Sequence, residues 1–347
     1  MYYTQENHGP YELISIGDLN LEEGGKISNC KLAVATFGEL NEAKDNAILI
    51  TTWYSGTNKM MEQVYTGEGK ALDPTKYFII IVNQIGNGLS TSPSNADDPI
   101  KGPNFPHVRI GDDVRAQHAL LTEHYGLDSL ALVTGGSMGA QQTYEWSVRY
   151  PDFVKRAAPI AGTAKTTEHD FIFAETLGEA ITSDPGYNNG NYVSPDEVAA
   201  GLKRHAKMWT VMGWSTSFFA ADRYKELGFE SMRAFIDEFM TGYFAPMDPN
   251  NLLLMMWKWQ RADVSRHTDG DLAAALNRVK AKMFVMPISD DMFFPPSDTE
   301  HEQKLIPNSE HRILNSVDGH LGLFGTDAKV IEQLDQSLKE LLSIKVS

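Results

Sequence analysis

Short, almost unbroken apolar runs recur along the chain and predict the strands of a sheet. These runs are residues 47–52, 77–83, 130–135, 157–162 and 282–289. A strand reads in this way when both of its faces are buried, as happens in a parallel sheet that helices cover on both sides. The pattern therefore predicts a mainly parallel sheet between layers of helices.

Helical periodicity fills the intervals between the apolar runs. Residues 112–126 place apolar and aromatic side chains at helical spacing, and Asp112 or Asp113 could cap the start of that helix. A second helical pattern follows the run 130–135 and extends to about Tyr150. Alternation of strands with helices indicates an α/β fold.

The alternation stops after Gly162. From about residue 165 to 275 the chain is rich in helix formers, methionine and aromatic residues, and it shows no clear strand pattern. Strand-like sequence returns at residue 282. We therefore predict an α/β core in two parts, 1–164 and 276–347, with a helical cap of residues 165–275 inserted between them.

Composition narrows the class of protein. The chain has 347 residues, of which 42% are hydrophobic, which is enough for a sizeable core. Its net charge of −16 argues against nucleic acid and anionic membranes as partners. Cys30 is the only cysteine, and no signal-peptide pattern or 18-residue apolar stretch is found. We expect a cytoplasmic protein with no membrane partner.

Residues 133–142 read VTGGSMGAQQ and place Ser137 in a G-x-S-x-G motif between a predicted strand and a predicted helix. Because this turn is tight, its central residue must adopt unusual dihedral angles. Small residues are therefore needed two positions before and two positions after it. The turn lifts the hydroxyl above the sheet, and the helix behind it supplies free backbone N–H groups. The alternative is an inert serine in a glycine-rich turn. The context favours a nucleophile.

A nucleophilic serine needs a base, and the base needs a carboxylate that orients it. In α/β-hydrolases these residues follow in the order Ser, acid, His. His320 lies in a loop after a short strand-like run and is the predicted base. The run 282–289 ends at two carboxylates, and we prefer Asp290, which directly follows the strand, over Asp291.

An oxyanion intermediate needs two backbone N–H donors. One is expected from Met138, the residue after the serine. The other is expected among residues 53–55, after the early strand at 47–52. No H-E-x-x-H motif, histidine cluster or phosphate-binding loop is found, so no metal or cofactor is expected.

Six motifs in a fixed order carry a family resemblance. They are NQIGNGLSTSPSN (83–95), FPHVRIGDDVRAQHALL (105–121), GGSMGAQQTYEWSVRYPDFV (135–154), DPNNLLLM (248–255), SDDMFFPP (289–296) and DGHLGLF (318–324). With them the sequence resembles the homoserine O-acetyltransferase superfamily of α/β-hydrolases. The resemblance implies Ser137 as nucleophile, Asp290 as acid, His320 as base and Tyr54 as the second oxyanion donor. It also implies no cofactor and a homodimer formed through the cap.

Two departures from that family bear on the substrate. Where the family usually has an Asp that holds the amino group of homoserine, this chain has Leu321, and where it has an Arg that holds the carboxylate, this chain has Ser215. The two charge-assisted contacts are worth about 1.5–3 kcal/mol each. Their loss indicates the esterase branch of the superfamily and a small uncharged ester, such as a short-chain alkyl acetate, as substrate.

We therefore expect a serine esterase, with Trp53, Trp214, Ser215 and Leu321 near the substrate. One alternative is an acyl-CoA-dependent O-acyltransferase like the homoserine enzymes. The other, from a different class, is a binding protein with a hydrolase fold and no catalytic activity.

Overall fold

The predicted apolar runs lie at the centre of a sheet in the computed structural model, which describes residues 2–346. In chain order the strands are β1 (Glu12–Ser15), β2 (Leu19–Asn20), β3 (Lys26–Ile27), β4 (Lys31–Phe37), β5 (Ala47–Thr51), β6 (Phe78–Val82), β7 (Leu132–Gly136), β8 (Arg156–Ile160), β9 (Lys282–Val285) and β10 (Ser309–His311). β2 and β3 pair with each other. In the described residues the other eight strands form one sheet in the order β1-β4-β6-β5-β7-β8-β9-β10.

The sheet is mainly parallel, as predicted. β4 pairs antiparallel with both β1 and β6, and the remaining neighbours from β6 to β10 run parallel. β5 lies between β6 and β7. After β5 the chain continues toward one edge of the sheet, to β6, and after β7 it continues toward the opposite edge, to β8. Ligands bind at such a switch point, outside the carboxyl ends of the strands.

Helices cover both faces of this sheet. In chain order they are α1 (Gln5–His8), α2 (Asn58–Tyr65), α3 (Ile110–Ala119), α4 (Met138–Arg149), α5 (Glu168–Thr182), α6 (Ala199–Gly213), α7 (Thr216–Ala220), α8 (Arg223–Glu226), α9 (Met232–Ala234), α10 (Thr241–Phe244), α11 (Pro249–Gln260), α12 (Leu272–Leu276), α13 (Pro296–Gln303) and α14 (Ala328–Ser343). Leu120–His124 and Phe235–Met240 are π-helical, and the segments Gly102–Asn104, Pro185–Gly190, Pro195–Val198, Val264–Thr268 and Gly319–Phe324 are 3₁₀-helical.

Burial on both faces explains why the central strands are almost continuously apolar. In β5, Ile48 and Ile50 belong to one hydrophobic cluster, together with Leu334 of α14. The alternate residue Leu49 belongs to the other cluster, together with Trp146 of α4. Because successive side chains of a strand point to opposite faces, both sets of positions must be apolar.

The helix predicted over residues 112–126 begins earlier than expected. α3 starts at Ile110, and Arg109 occupies the N-cap position. Asp112 is the third helical residue, and its carboxylate accepts the backbone N–H of Arg109 at 2.8 Å. The acidic residues therefore stabilise the first turn from inside the helix instead of preceding it.

Between β8 and β9 the described residues form helices α5 to α12 and no strand, apart from an isolated bridge between Lys165 and Asp263. This is the helical insertion that the sequence predicts. The domain division into residues 1–164, 165–275 and 276–347 stays a prediction.

A buried ion pair anchors α11 to α3. Lys258 and Asp113 form this pair, with side chains only 0% and 1% exposed. Lys258 Nζ also donates to the Ile85 carbonyl oxygen at 2.9 Å, and the Asp113 carboxylate accepts the Ile85 N–H at 2.8 Å. Removing one partner of such a pair costs about 3–5 kcal/mol. The pair therefore holds the inserted helices against the loop that follows β6.

Candidate active site

Ser137 lies in the sharp turn between β7 and α4. Its backbone has φ 56° and ψ −121°, which residues other than glycine rarely adopt. A Cβ atom on Gly135 would lie 2.2 Å from Thr51 Oγ1, and one on Gly139 would lie 2.7 Å from the Thr51 carbonyl oxygen. Glycine is therefore required on both sides of the serine, and the strained turn presents its hydroxyl at the end of the sheet.

His320 contacts the serine hydroxyl. Its Nε2 lies 3.0 Å from Ser137 Oγ, although 183 positions separate the two residues in the chain. His320 belongs to the 3₁₀ segment Gly319–Phe324, and it is 2% exposed. Phe293 packs against the imidazole with ring centroids 4.1 Å apart. The structure thus brings together the predicted nucleophile and the predicted base.

The carboxylate partner of His320 is Asp291, so the prediction of Asp290 is wrong. Asp291 Oδ2 lies 2.7 Å from His320 Nδ1. The chain turns after Ile288, and the Asp291 N–H closes this turn by donating to the Ile288 carbonyl oxygen at 3.2 Å. Asp290 occupies a central position of this turn, and Asp291, the residue that closes it, faces the histidine.

Further hydrogen bonds fix the Asp291 carboxylate. Its Oδ1 accepts the backbone N–H groups of Phe293 at 3.1 Å and Phe294 at 3.0 Å. An ionised carboxylate can only accept hydrogen bonds, so the Nδ1 of His320 carries the proton. Nε2 is then the acceptor that faces Ser137, which is the tautomer a general base requires.

The two predicted oxyanion donors lie just beyond the ends of two neighbouring strands, β5 and β7. Met138 is the first residue of α4, and Tyr54 lies three residues beyond Thr51, the last residue of β5. Thr51 pairs with Gly135 of the parallel strand β7, so the two segments leave the sheet side by side. Neither the Met138 nor the Tyr54 N–H donates to any other residue within 2–346.

Residues of the inserted helices hold the Tyr54 side chain. Its hydroxyl lies 3.3 Å from His205 Nε2, and its ring stacks on Trp209 with centroids 5.6 Å apart. His205 Nδ1 lies 3.1 Å from the Leu177 carbonyl oxygen, so Nδ1 carries the proton and Nε2 accepts from Tyr54. Burial lowers the pKa of His205 to about 4, which keeps the ring neutral.

A small apolar cavity lies beside the serine and the histidine. Its volume is about 20 Å³, room for about one water molecule. The other lining residues are Trp53, Tyr54, Ser55, Trp209, Met240, Phe244, Leu321, Leu323 and Phe324. Among residues 2–346 no Asp, Glu, Lys or Arg side chain lines it. Such walls suit a small uncharged group.

Two of the four residues predicted to lie near the substrate, Trp53 and Leu321, line this cavity. Leu323 and Phe324 also line it and were not predicted. Both follow His320 within one 3₁₀ segment, and this proximity to the base is the signal that could have identified them.

The other two, Trp214 and Ser215, do not line the cavity, so their prediction as substrate contacts is wrong. The Ser215 hydroxyl caps α7 by accepting the Phe218 N–H at 3.0 Å, and it donates to the Val317 carbonyl oxygen. Trp214 is fully buried in the inserted helices, and its Nε1–H lies 3.3 Å from Met240 Sδ. A helix cap and a core indole carry no sequence mark that separates them from residues of a pocket.

Cys30 is buried, and burial raises the pKa of its thiol to about 12. Within residues 2–346 the His, Cys, Asp and Glu side chains form no group that could hold a metal ion. In the same part of the chain, no helix has the length and apolar character needed to cross a membrane.

Comparison with known proteins decides the family. The sequence profile of the alpha/beta hydrolase fold matches residues 55–324, a range that includes Ser137, Asp291 and His320. The chain belongs to this family. This α/β-hydrolase is 68% identical over 342 residues to an ethyl acetate hydrolase from Pseudomonas veronii, covering 99% of this chain and 98% of that protein.

A solved structure and a more distant relative indicate the branch of the superfamily to which this α/β-hydrolase belongs. The crystal structure of the acetyl esterase MekB is 68% identical, has a TM-score of 0.98 and is matched over 99% of both chains. A homoserine O-acetyltransferase from Methanohalobium evestigatum is 33% identical over 359 residues, covering 94% of this chain and 71% of that protein. The resemblance to the homoserine O-acetyltransferase superfamily is confirmed, with this chain on the esterase branch.

Proposed function

We propose that this α/β-hydrolase is a serine esterase that hydrolyses small uncharged carboxylic esters, in particular short-chain alkyl acetates. The observation that carries the proposal is the pair of hydrogen bonds that connects Asp291 through His320 to Ser137. Ser137 borders a cavity that no Asp, Glu, Lys or Arg side chain among residues 2–346 lines. The ethyl acetate hydrolase at 68% identity supports the same substrate class.

In the first half of the reaction, Ser137 Oγ attacks the carbonyl carbon of the ester while His320 Nε2 takes the hydroxyl proton. Asp291 holds the Nδ1–H and stabilises the imidazolium that forms. The N–H groups of Met138 and Tyr54 donate to the oxyanion of the tetrahedral intermediate. As this intermediate collapses, the C–O bond to the alcohol breaks, and His320 donates its proton to the departing alcohol.

In the second half, water attacks the carbonyl carbon of acetyl-Ser137. His320 accepts a proton from that water, and the same donors hold the second oxyanion. Collapse releases acetic acid, and the proton on His320 returns to Ser137 Oγ. The base therefore acts twice, and apart from Ser137 and His320 no group of the chain has to change its protonation state.

The apolar wall favours water as the acceptor of the acyl group. Leu321, at 4% exposure, lies in the cavity wall where a carboxylate would hold the amino group of homoserine. Since no charged side chain among residues 2–346 lines the cavity, an amino-acid acceptor finds no ionic partner there for its ammonium or its carboxylate group. Two such charge-assisted hydrogen bonds are worth about 3–6 kcal/mol together, so their absence weakens binding of this acceptor by about two to four orders of magnitude. Water then competes successfully for the acyl-enzyme.

The size of the cavity supports a preference for small acyl groups. About 20 Å³ of free space beside Ser137 accommodates a methyl group more readily than a long alkyl chain. We therefore propose acetyl esters as better substrates than butanoyl or longer esters. A series of ethyl esters of increasing acyl length measures this preference through kcat/KM.

A partition assay tests the proposed function. The protein is incubated with ethyl acetate or acetyl-CoA, with and without homoserine, and free acetate is measured against O-acetylhomoserine. We expect free acetate from ethyl acetate, little effect of homoserine, and no turnover by Ser137→Ala. A product dominated by O-acetylhomoserine would establish the acyltransferase alternative instead.

We also propose a homodimer formed through the cap and a cytoplasmic location. The resemblance to the homoserine O-acetyltransferases supports the dimer. The single cysteine, which allows no intramolecular disulfide and is compatible with a reducing compartment, supports the location. Sedimentation velocity tests the first proposal, and a monomer at assay concentrations would refute it. Fractionation of the native host tests the second.

A further inference from the structure

A chain of buried side-chain hydrogen bonds runs to the segment that carries Tyr54. The Trp146 Nε1–H donates to Gln117 Oε1 at 2.7 Å, and the Gln117 amide donates to Gln142 Oε1 at 2.6 Å. The Gln142 amide then donates to the carbonyl oxygen of Thr52, at 3.2 Å. These four residues are at most 1% exposed. The network ends two residues before Tyr54.

The two ends of this network determine the orientation of each amide. The indole N–H of Trp146 can only donate, and the Thr52 carbonyl can only accept. Gln117 must therefore present its oxygen to the indole and its NH₂ group to Gln142. Gln142 in turn presents its NH₂ group to Thr52, so every bond runs in the same direction.

A second amide reaches the same carbonyl oxygen. Gln84, two residues beyond β6, donates to Thr52 O through Nε2 at 2.7 Å. Both lone pairs of this oxygen are then engaged, which fixes the peptide unit between Thr52 and Trp53. Only the φ and ψ angles of Trp53 separate it from the peptide unit of the Tyr54 N–H. Trp53 is 3% exposed and stacks on Phe324 at 5.6 Å, which restricts both angles.

Gln142 also joins the two elements that supply the proposed oxyanion donors. It lies on α4, the helix whose first residue is Met138, and it bonds to the segment that leads into Tyr54. Thr51 adds a second link, because its Oγ1 donates to the Gly139 carbonyl oxygen of α4 at 2.8 Å. The two donors are therefore held relative to each other by side chains outside the cavity.

We propose that Gln142 and Gln84 are positioning residues that hold the Tyr54 N–H at the separation from the Met138 N–H that the oxyanion requires. This inference rests on the proposed hydrolysis through Ser137. A displaced donor weakens the hydrogen bond to the tetrahedral intermediate more than it weakens binding of the neutral ester. The effect of losing these amides therefore falls on kcat more than on KM.

The test compares matching substitutions of adjacent glutamines. Gln142→Met removes the bond to Thr52, while Gln141→Met is the control. Gln141 is likewise 1% exposed and on α4, but its amide donates to Thr166 Oγ1 at 3.1 Å. For Gln142→Met we expect kcat for ethyl acetate to fall about ten- to a hundredfold, with KM changed less than about twofold. Gln141→Met should keep the wild-type kcat.

A second variant and a second measurement separate positioning from a loss of stability. Gln84→Met removes the other donor from a different element, and we expect it to lower kcat as well. A trifluoromethyl ketone forms an anionic tetrahedral adduct with the serine, so its affinity should fall by the same factor as kcat/KM in both variants. A purely structural role would lower the melting temperature and leave these two quantities unchanged.

The outcomes are distinct from those that test the proposed function. If Gln84→Met, and Gln142→Met where it folds, keep the wild-type kcat and inhibitor affinity, the positioning role is overturned. Turnover by Ser137→Ala would instead overturn the proposed function. Loss of kcat in parallel with inhibitor affinity, with Ser137 required, supports both.

Discussion

Asp291 Oδ2 lies 2.7 Å from His320 Nδ1, whereas Asp290, one residue earlier, makes no hydrogen bond to the imidazole. Two adjacent carboxylates thus differ in which of them can orient the base. This difference follows from one turn, in which Asp291 donates its N–H to the Ile288 carbonyl oxygen. The adjacent pair provides a matched test of the proposed triad.

Asp291→Asn should lower kcat about ten-thousandfold with little change in melting temperature. The amide can still accept from the Phe293 and Phe294 N–H groups, but its NH₂ group would face Nδ1 and favour the wrong tautomer of His320. Asp290→Asn is the control and should retain activity close to wild type. Steady-state hydrolysis of ethyl acetate measures both, and the reverse order of the two effects would restore Asp290 as the acid.

Gly135→Ala should destroy the turn that holds Ser137. The added methyl group would lie 2.2 Å from Thr51 Oγ1 and 2.8 Å from the Thr51 carbonyl oxygen, so the backbone must move. We expect a loss of about 1–3 kcal/mol in the free energy of unfolding and at least a hundredfold loss of kcat, to order of magnitude.

Gly242→Ala is the matched control for that substitution. Gly242 lies in α10, and a Cβ atom there would have no neighbour within 4 Å. Alanine should leave activity unchanged and increase the free energy of unfolding by up to about 1 kcal/mol. Urea unfolding and ester turnover are measured on both variants. A Gly135→Ala variant as active as Gly242→Ala would contradict the crowding inferred at the turn.

Leu321→Asp should shift the acceptor preference. A carboxylate in the cavity wall could form one charge-assisted hydrogen bond to an ammonium group, worth about 1.5–3 kcal/mol, or about ten- to a hundredfold in acceptor affinity. Hydrolysis of the uncharged ester should fall, because the new charge is buried. Leu321→Asn has nearly the same size without the charge and should show no such gain. Equal gains in both variants would rule out the charge as the cause.

The free energy of unfolding should depend on pH through Asp170. This residue of α5 is fully buried, and burial is the main cause that raises the pKa of its carboxyl from 3.8 to about 8. Between these values the folded protein retains a proton that the unfolded chain has lost. The free energy of unfolding therefore falls as the pH rises through this window.

Asp170→Asn isolates this effect, because an amide cannot ionise. From about pH 5 to about pH 8, the variant should lose less free energy of unfolding in urea than the wild type does. Glu175→Gln, on the exposed side of the same helix, is the control and should follow the wild type. Parallel slopes for Asp170→Asn and the wild type would exclude Asp170 as the source.

Several elements were predictable because local physics determines them. Every residue of the strands β5, β6 and β7 is buried, so most of their positions are apolar, and this pattern is visible in the sequence. Ser137 was recognisable because its turn requires glycines, and the requirement is now explained by contacts with Thr51. His320 followed from the order of the motifs.

The errors concern features that depend on distant contacts. The choice between Asp290 and Asp291 depends on where a turn closes, which neither residue type nor spacing reveals. The packing of the inserted helices makes Ser215 the N-cap of α7 and buries Trp214 in their core. Periodicity identifies such helices but does not determine which of their side chains reach the site.

The most direct test of hydrolysis through Ser137 is to locate the acyl group during turnover. Wild-type protein is quenched rapidly while it hydrolyses p-nitrophenyl acetate, and its peptides are mapped by mass spectrometry. We expect one acetyl group on Ser137 Oγ, lost as free acetate on further incubation, and neither acetylation nor turnover in Ser137→Ala. An acetyl group on another residue, or turnover that persists in Ser137→Ala, would contradict the proposed mechanism.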